Sequence, residues 1–304
     1  MLIFIYHLQR GRNVKEVSIK AYAKINLYLD VVSKLNNGFH GIESVMQTVS
    51  LADEVTVSAR DAQSTEIKVI CDSHFAPDGE ENIAYRAAKI YLDRAGVNAS
   101  VVVKIRKNIP SPAGMGGGSA DAAAVLRGLD LIFERFDISE LEELASHVGS
   151  DVPFCIKGGT QISEGRGELL ASCPDMPKCY FVIGCGKDLL STPEAYRMLD
   201  ERYGGFSEWR AESGLGKFID SLSSIEDTSR ALYNVFESVT VPVCPSVAVI
   251  KNILSDSGAL GTLMCGSGPA VLGIFTDEET ASKAASNVEK AGFFSSVCTQ
   301  IQNY

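Results

Sequence analysis

The chain has 304 residues, 45% hydrophobic and 22% charged. That supplies a sizeable core at a length beyond the ~250 residues at which single cores divide, so two domains are expected. The formal net charge of -10 argues against nucleic acid or an anionic membrane as the main partner, and an anionic substrate must then be held by local donors. The eight cysteines show no CxxC pair and no histidine at zinc-ligand spacing. Most sit in apolar runs, as buried free thiols of a reducing cytoplasm would; the even spacing of Cys173, Cys179 and Cys185 is too wide for a structural zinc site. Residues 1–16 read as an extension whose basic residues follow a short apolar run, the reverse of a secretory signal. No stretch approaches the roughly 20 apolar residues of a membrane span.

From Val17 a strand is expected, with Ile25, Leu27, Leu29 and Val31 on one face and Lys24, Asn26, Tyr28 and Asp30 on the other. Lys24 and Asn26 therefore share a face, as a solvated surface or as a pair aimed at a ligand. Asn36, Asn37 and Gly38 signal a hairpin, with Phe39 and His40 at its exit. Short strands are expected over 54–60 and 65–71, a helix over 82–96 ended by Gly96, and a strand over 100–107.

The stretch Pro110 to Ala124 reads PSPAGMGGGSADAAA. Gly114, Gly116, Gly117 and Gly118 are costly to order, because glycine loses more backbone freedom on folding than any other residue. Val125, Leu129, Ile132, Phe133 and Phe136 then recur at helical spacing. Strand, glycine loop and helix in this order set free amides and a helix dipole where an anion gains about 0.3 to 1 kcal/mol. The same composition also suits a turn that lets a helix pack closely on a sheet. It is neither a Walker A loop, which needs a lysine after the glycines, nor a dinucleotide fingerprint with its ribose-binding acid.

Ser139 with Glu142 forms a capping box for a helix that Gly149 ends. In the loop that follows, Asp151 either caps a turn or carries chemistry. Pro174 and Pro177 mark a linker, which divides the chain into 1–173 and 174–304. A strand begins at KCYFVIGCG. Tyr196 then belongs to a pocket or to a core-facing helix, and 204–226 holds only weak helix. The end runs helix (246–255), strand (259–265), a turn at Gly266, Ser267 and Gly268, strand (270–275), helix (277–291) and strand (295–301).

The order P-x-x-x-G-x-G-G-G-S resembles the phosphate loop of the GHMP kinases, usually P-x-x-x-G-L-G-G-G-S-S. Met115 stands for the leucine, a volume-conserving change. Ala120 stands for the second serine, which removes a hydroxyl but keeps a backbone N–H. Within that superfamily, AYAKINLYLDV is similar to the A-x-A-K-I-N-L of the diphosphocytidyl-methylerythritol kinase family. GFH at 38–40, with Ser44, Gln47, Leu51 and Asp53 after it, resembles that family's D-G-Y/F-H turn and the segment that follows. GSDVPF at 149–154 resembles the segment that supplies its catalytic aspartate, and QISEGRGE resembles A-x-x-x-G-x-G-E. LYNVFE at 232–237 resembles a helix of that family, and TLMCGSGPAVLGIF the third superfamily motif.

The resemblance spans about residues 17–301 and implies an α+β fold of two domains. The N-terminal one would be like the second domain of ribosomal protein S5 and the C-terminal one ferredoxin-like. It also implies transfer of the ATP γ-phosphoryl group, with Mg2+, to the 2-hydroxyl of 4-diphosphocytidyl-2-C-methyl-D-erythritol. The protein would be cytoplasmic, with this small molecule as its partner and neither nucleic acid nor membrane. Pro110, Gly114, Met115, Gly116, Gly117, Gly118, Ser119 and Ala120 would hold ATP. Asp151 would accept the hydroxyl proton, and Lys24 would keep Asp151 ionised. Asn26, Phe39, His40, Thr192, Tyr196, Gly266, Ser267 and Gly268 would bind the substrate, Phe39 stacking on the cytosine and His40 hydrogen-bonding it. No metal ligand and no oligomeric state is assigned. The alternatives are another GHMP small-molecule kinase, disfavoured by GFH and GSDVPF, and a silent nucleotide-binding member, disfavoured by Lys24 with Asp151.

Overall fold

The structure, a computed structural model, describes residues 14–36, 38–73, 77–204 and 213–302. Residues 1–13 of the expected extension, Asn37 of the hairpin turn and positions 205–212 of the weakly helical stretch lie outside the described residues. Lys15 and Glu16 already belong to the fold, opposite Ala59 and Ser58.

The first half runs β1 (Lys15–Lys34), β2 (His40–Asp61), β3 (Glu66–Cys71), α1 (Ile83–Ala95), β4 (Ala99–Arg106), α2 (Gly117–Phe133), α3 (Ile138–Val148), α4 (Val152–Lys157), β5 (Thr160–Gly165) and β6 (Leu169–Ser172). Leu35 N–H donates to Phe39 O at 2.7 Å and closes the β1–β2 hairpin. β2 pairs with β1 nearly throughout, with β5 over Ile42 to Gln47 and with β4 over Glu54 to Asp61. The strand expected at 54–60 is thus the far end of a longer one. Asn82 starts α1 by accepting the Ala84 N–H at 2.9 Å, and Gly96 ends it in a left-handed cap.

The capping box of α3 lies two residues before its expected place. Asp137 Oδ1 accepts the Glu140 N–H at 2.9 Å, and Glu140 Oε2 accepts the Asp137 N–H at 2.9 Å. The cause is upstream: Asp130 Oδ1 binds the N–H groups of Arg135 and Phe136 at 3.1 and 3.0 Å. That turn delivers Asp137, not Ser139, to the helix start.

The second half runs β7 (Tyr180–Cys185), α5 (Thr192–Tyr203), α6 (Leu215–Ser221), α7 (Ile225–Ala231), β8 (Tyr233–Asn234), α8 (Glu237–Thr240), α9 (Pro245–Asp256), β9 (Gly261–Met264), β10 (Val271–Phe275), α10 (Glu278–Lys290) and β11 (Phe294–Ile301). The segment 232–237 is not the expected helix. The Asn234 amide donates to Met264 O at 2.7 Å and Gly266 O at 2.8 Å, which holds Tyr233 and Asn234 extended beside Tyr28 and Leu29.

Strands β11, β7, β10 and β9 lie in that order with antiparallel neighbours. This is the last, first, third, second order of a ferredoxin-like unit. β11 also reaches the first half, where Gln300 and Ile301 pair with Val49 and Thr48. One apolar cluster joins the first sheet to α1–α4; a second sets Ile25 and Leu27 of β1 against Phe181, Ile183, Leu272 and Ile274. β1 is therefore covered on both faces, and Lys24, Asn26 and Asp30 are buried. The face that the alternation left open to solvent is closed over Lys24 by the glycine loop and Asp151 of the first half.

All eight cysteines are free and six are buried. Burial pushes the Cys179 and Cys298 thiols up to about 12, where they are unreactive. Among the described residues, no helix is long and apolar enough to cross a membrane, and no group of three or more His, Cys, Asp or Glu is arranged to hold a metal ion.

Candidate active site

β4 delivers the chain to the glycine loop, and the loop ends at Gly116, left-handed at φ 66°, just before α2. No side chain caps α2 among the described residues. The N–H groups that open this helix are therefore presented to the site, with the positive end of its dipole behind them. Two glycines are required sterically. At Gly114, φ 76°, a Cβ would strike the Cys265 carbonyl; at Gly116 it would lie 2.9 Å from Lys24 Cγ. The loop thus rests on the Gly266 turn on one side and on Lys24 on the other.

Lys24 is fixed from several directions. Its backbone N–H donates to Met115 O at 3.1 Å, its Nζ donates to Asn26 Oδ1 at 2.9 Å, and the same Nζ lies 3.3 Å from Asp151 Oδ2. The Asn26 amide donates to Ser44 Oγ at 2.8 Å, and Ser44 Oγ donates to Tyr28 O at 2.6 Å. Asp151 precedes α4 without capping it by its side chain. Its carboxylate, 31% exposed, instead meets an ammonium whose side chain is only 8% exposed. A buried lysine beside a carboxylate costs desolvation that only pairing offsets, so this pair is a constraint of the fold.

Lys24, Asp151 and the loop line one cavity of about 800 Å³ between the two halves, a size typical of ligand sites. Phe39, His40, Thr192, Tyr196, Gly266 and Ser267 line it too, as do Asn26, Pro110 and Gly114 to Ser119. Two assigned residues do not. The Ala120 N–H donates to Gly116 O at 2.8 Å and its side chain is buried, so the helix consumes the group expected to meet ATP. Gly268 lies behind its turn, its N–H donating to Cys265 O at 2.8 Å. Thr192 Oγ1 and Ser267 Oγ share a hydrogen bond of 2.9 Å across the cavity wall.

At the far end the His40 ring stacks on Tyr196 with centroids 4.7 Å apart and planes at 22°, and Phe236 meets Tyr196 edge-on at 4.9 Å. Burial, with the Asp151 charge added, pushes the Tyr196 phenol up, so it stays a neutral hydroxyl. Phe39 is 55% exposed, and the Arg166 guanidinium lies 5.4 Å from its ring centroid.

Several residues here were not singled out from the sequence. Arg166 lies inside QISEGRGE, where nothing local separates it from its motif. Lys34 and Asp200 carry no local signal. Behind the loop, Lys107 Nζ bonds Asp53 and also Asp121 Oδ2, the latter at 2.6 Å. Asp53 Oδ1 accepts the N–H groups of Asn108 and Ile109 at 2.6 and 2.8 Å, which anchors the entry to the loop.

Residues 82–159 match the model of the GHMP kinases N terminal domain and residues 217–293 that of the GHMP kinases C terminal. With the ferredoxin-like order and the glycine loop opposite Lys24 and Asp151, the chain is a GHMP kinase, for which ATP is the co-substrate. It is 40% identical to the 4-diphosphocytidyl-2-C-methyl-D-erythritol kinase of Acetivibrio thermocellus over 89% of this chain and 94% of that one. The enzyme of that name from Caldicellulosiruptor saccharolyticus is 41% identical over 89% and 92%. A crystal structure of 4-(cytidine 5'-diphospho)-2C-methyl-D-erythritol kinase superposes with a TM-score of 0.76 at 28% identity, covering 93% of this chain and 99% of the other. The chain belongs to the 4-diphosphocytidyl-2-C-methyl-D-erythritol kinase family.

Proposed function

We propose that the chain transfers the γ-phosphoryl group of ATP to the 2-hydroxyl of 4-diphosphocytidyl-2-C-methyl-D-erythritol, a step of the non-mevalonate route to isoprenoid precursors. The observation that carries this reading is the Lys24–Asp151 pair at 3.3 Å, between the glycine loop and the Phe39–His40 end of one cavity. An alcohol is a poor nucleophile at neutral pH. Asp151 takes the hydroxyl proton as the oxygen bonds to the γ-phosphorus and the bond from that phosphorus to ADP breaks. Lys24 keeps the carboxylate ionised and faces the charge that develops on the transferred group.

The amides of Gly117, Gly118 and Ser119 open α2 without a side-chain cap, which fits them to phosphate oxygens. Mg2+ would sit on those phosphates and supply charge neutralisation. Asn26 holds Lys24, while Phe39, His40, Thr192, Tyr196 and Ser267 form the substrate's side of the cavity. Two domains, 1–173 and 174–304, are supported by the two family matches on either side of that boundary. The net charge of -10 supports a partner that is neither nucleic acid nor an anionic membrane, and the free cysteines support a cytoplasmic place.

The test is ADP release from ATP and Mg2+ with the diphosphocytidyl substrate, alongside mevalonate and homoserine. Release with the cytidylyl compound alone is expected. Release only with another alcohol would keep the kinase and overturn the substrate, and silence with all three would leave a nucleotide-binding protein.

A further inference from the structure

We propose that Ser44 is a positioning residue that turns the Asn26 amide so that its oxygen meets Lys24, and thereby aims the Lys24 ammonium at Asp151. The proposal rests on reading Lys24 and Asp151 as the groups that act on the substrate hydroxyl. Three hydrogen bonds run in series: Ser44 Oγ donates to Tyr28 O at 2.6 Å, the Asn26 amide donates to Ser44 Oγ at 2.8 Å, and Lys24 Nζ donates to Asn26 Oδ1 at 2.9 Å. The sense of each is forced. A backbone carbonyl only accepts, so the single hydroxyl proton of Ser44 is spent on Tyr28. What Asn26 turns to Ser44 is then its NH2, which leaves its oxygen for Lys24, and an ammonium carries donors only. Ser44 is fully buried and Asn26 is 2% exposed, so a lost partner here is not replaced by bulk water.

The other supports of Lys24 act elsewhere along the residue. Its backbone N–H is held by Met115 O, and its stem lies against Gly116, where a Cβ would come within 2.9 Å of Cγ and 3.2 Å of Cε. Among the described residues, the ammonium itself pairs with Asn26 Oδ1 and the Asp151 carboxylate alone. Asp151 has to be free to take a proton, so Asn26 is the support that stays constant through the reaction. The register of the strands brings Ser44 to it. Pairing of β1 with β2 shifts between Asn26 and Tyr28, and Ser44 stands opposite Leu29. An irregularity of this kind re-aims side chains, and here it sets the hydroxyl between the Tyr28 carbonyl and the Asn26 amide, 16 and 18 positions away in the chain. Without that hydroxyl the amide has no fixed sense. Turned over, it sets its NH2 against the ammonium, donor against donor, and Lys24 leaves its place beside Asp151.

The test measures kcat and KM with ATP and the cytidylyl substrate in wild type, Ser44→Ala, Ser44→Thr, Asn26→Ala and the Ser44→Ala/Asn26→Ala double variant, with Lys24→Ala and Asp151→Asn as references. Ser44→Ala should lose roughly tenfold to a hundredfold in kcat, the range for a hydrogen bond to a charged group, while KM for the cytidylyl substrate stays within about threefold. Ser44→Thr keeps the hydroxyl and should recover most of the loss. In the double variant the losses should not multiply: with no amide to turn, Ser44 has nothing to act through, and kcat should match that of Asn26→Ala alone. Full turnover in Ser44→Ala, a loss confined to KM, or losses that multiply in the double variant would overturn the proposal. NMR of the wild type gives a reading that stands even where the alanine variant does not fold. Nuclear Overhauser contacts should join the Asn26 side-chain NH2 to the Ser44 methylene, and contacts to the Lys24 Cε protons in their place would overturn the proposal. Where Lys24→Ala and Asp151→Asn lose turnover and Ser44→Ala does not, only the role of Ser44 falls. Where both references keep near-normal turnover, the reading of the Lys24–Asp151 pair falls and the proposal with it.

Discussion

Asp151 and Lys24 hold each other at 3.3 Å, and their roles separate under substitution. Asp151→Asn keeps the shape but cannot accept a proton, so turnover should fall about 10²- to 10⁴-fold, the usual contribution of a general base. The KM for the cytidylyl substrate should move far less. Near-normal turnover in single-turnover kinetics would remove Asp151 from the base role. Phe39 is more than half exposed and lines the cavity. Because base stacking on an aromatic contributes about 1 to 3 kcal/mol, Phe39→Ala should raise the KM for the cytidylyl substrate with little change in that for ATP; the reverse, read by steady-state kinetics, would misplace the base. The sequence read alone singled out Lys24, Asn26, His40 and Asp151, because each stands in a short recognisable motif. Asp200 escaped because its partners are distant in the chain and nothing around it is unusual.

At the scale of an element, the glycine loop is held by its neighbours as much as by its composition. Gly114→Ala adds a Cβ at φ 76° and drives it into the Cys265 carbonyl. Strain of this kind costs about 1 to 3 kcal/mol, and the loop must also move off the Gly266 turn. The variant should melt lower and show a raised KM for ATP; an unchanged KM would mean that the loop does not shape the nucleotide site. Beneath the loop, burial raises the Asp121 carboxyl from 3.8 to about 7, and the pull of Lys107 does not cancel it. The folded chain thus binds this proton more tightly than the unfolded one, and the stability it contributes is lost as pH rises through that window. Asp121→Asn, neutral throughout, should gain stability relative to wild type between pH 5 and pH 8 in parallel thermal melts; a constant difference would show that Asp121 does not titrate there. The same scale exposes the limits of local pattern: α3 begins at Asp137 because Asp130 shapes the turn before it, and Asn234 is extended because it bonds Met264 and Gly266.

The two halves of the molecule share a sheet through β11 and a core through β1. The face of β1 that carries Ile25 and Leu27 is uncovered without the second half, so the halves should unfold together. Calorimetry of the intact chain should give one transition, and two resolved peaks would show independent folding. Saturating ATP should raise that transition, by about 2.7 kcal/mol of stability at a hundredfold excess over Kd. A chain whose melting ignores ATP would not carry a working nucleotide site.

What the sequence by itself determined is local. Alternation marked β1, spacing marked α1 and α2, and the glycine run marked the loop, since each depends on the backbone preferences of adjacent residues. The family, too, was legible from collinear motifs. Only the tertiary structure decided that Lys24 is enclosed and that Asp200 faces His40. Both are set by residues far apart in the chain: the glycine loop and Asp151 close on Lys24 within the first half, and Asp200 reaches His40 from the second.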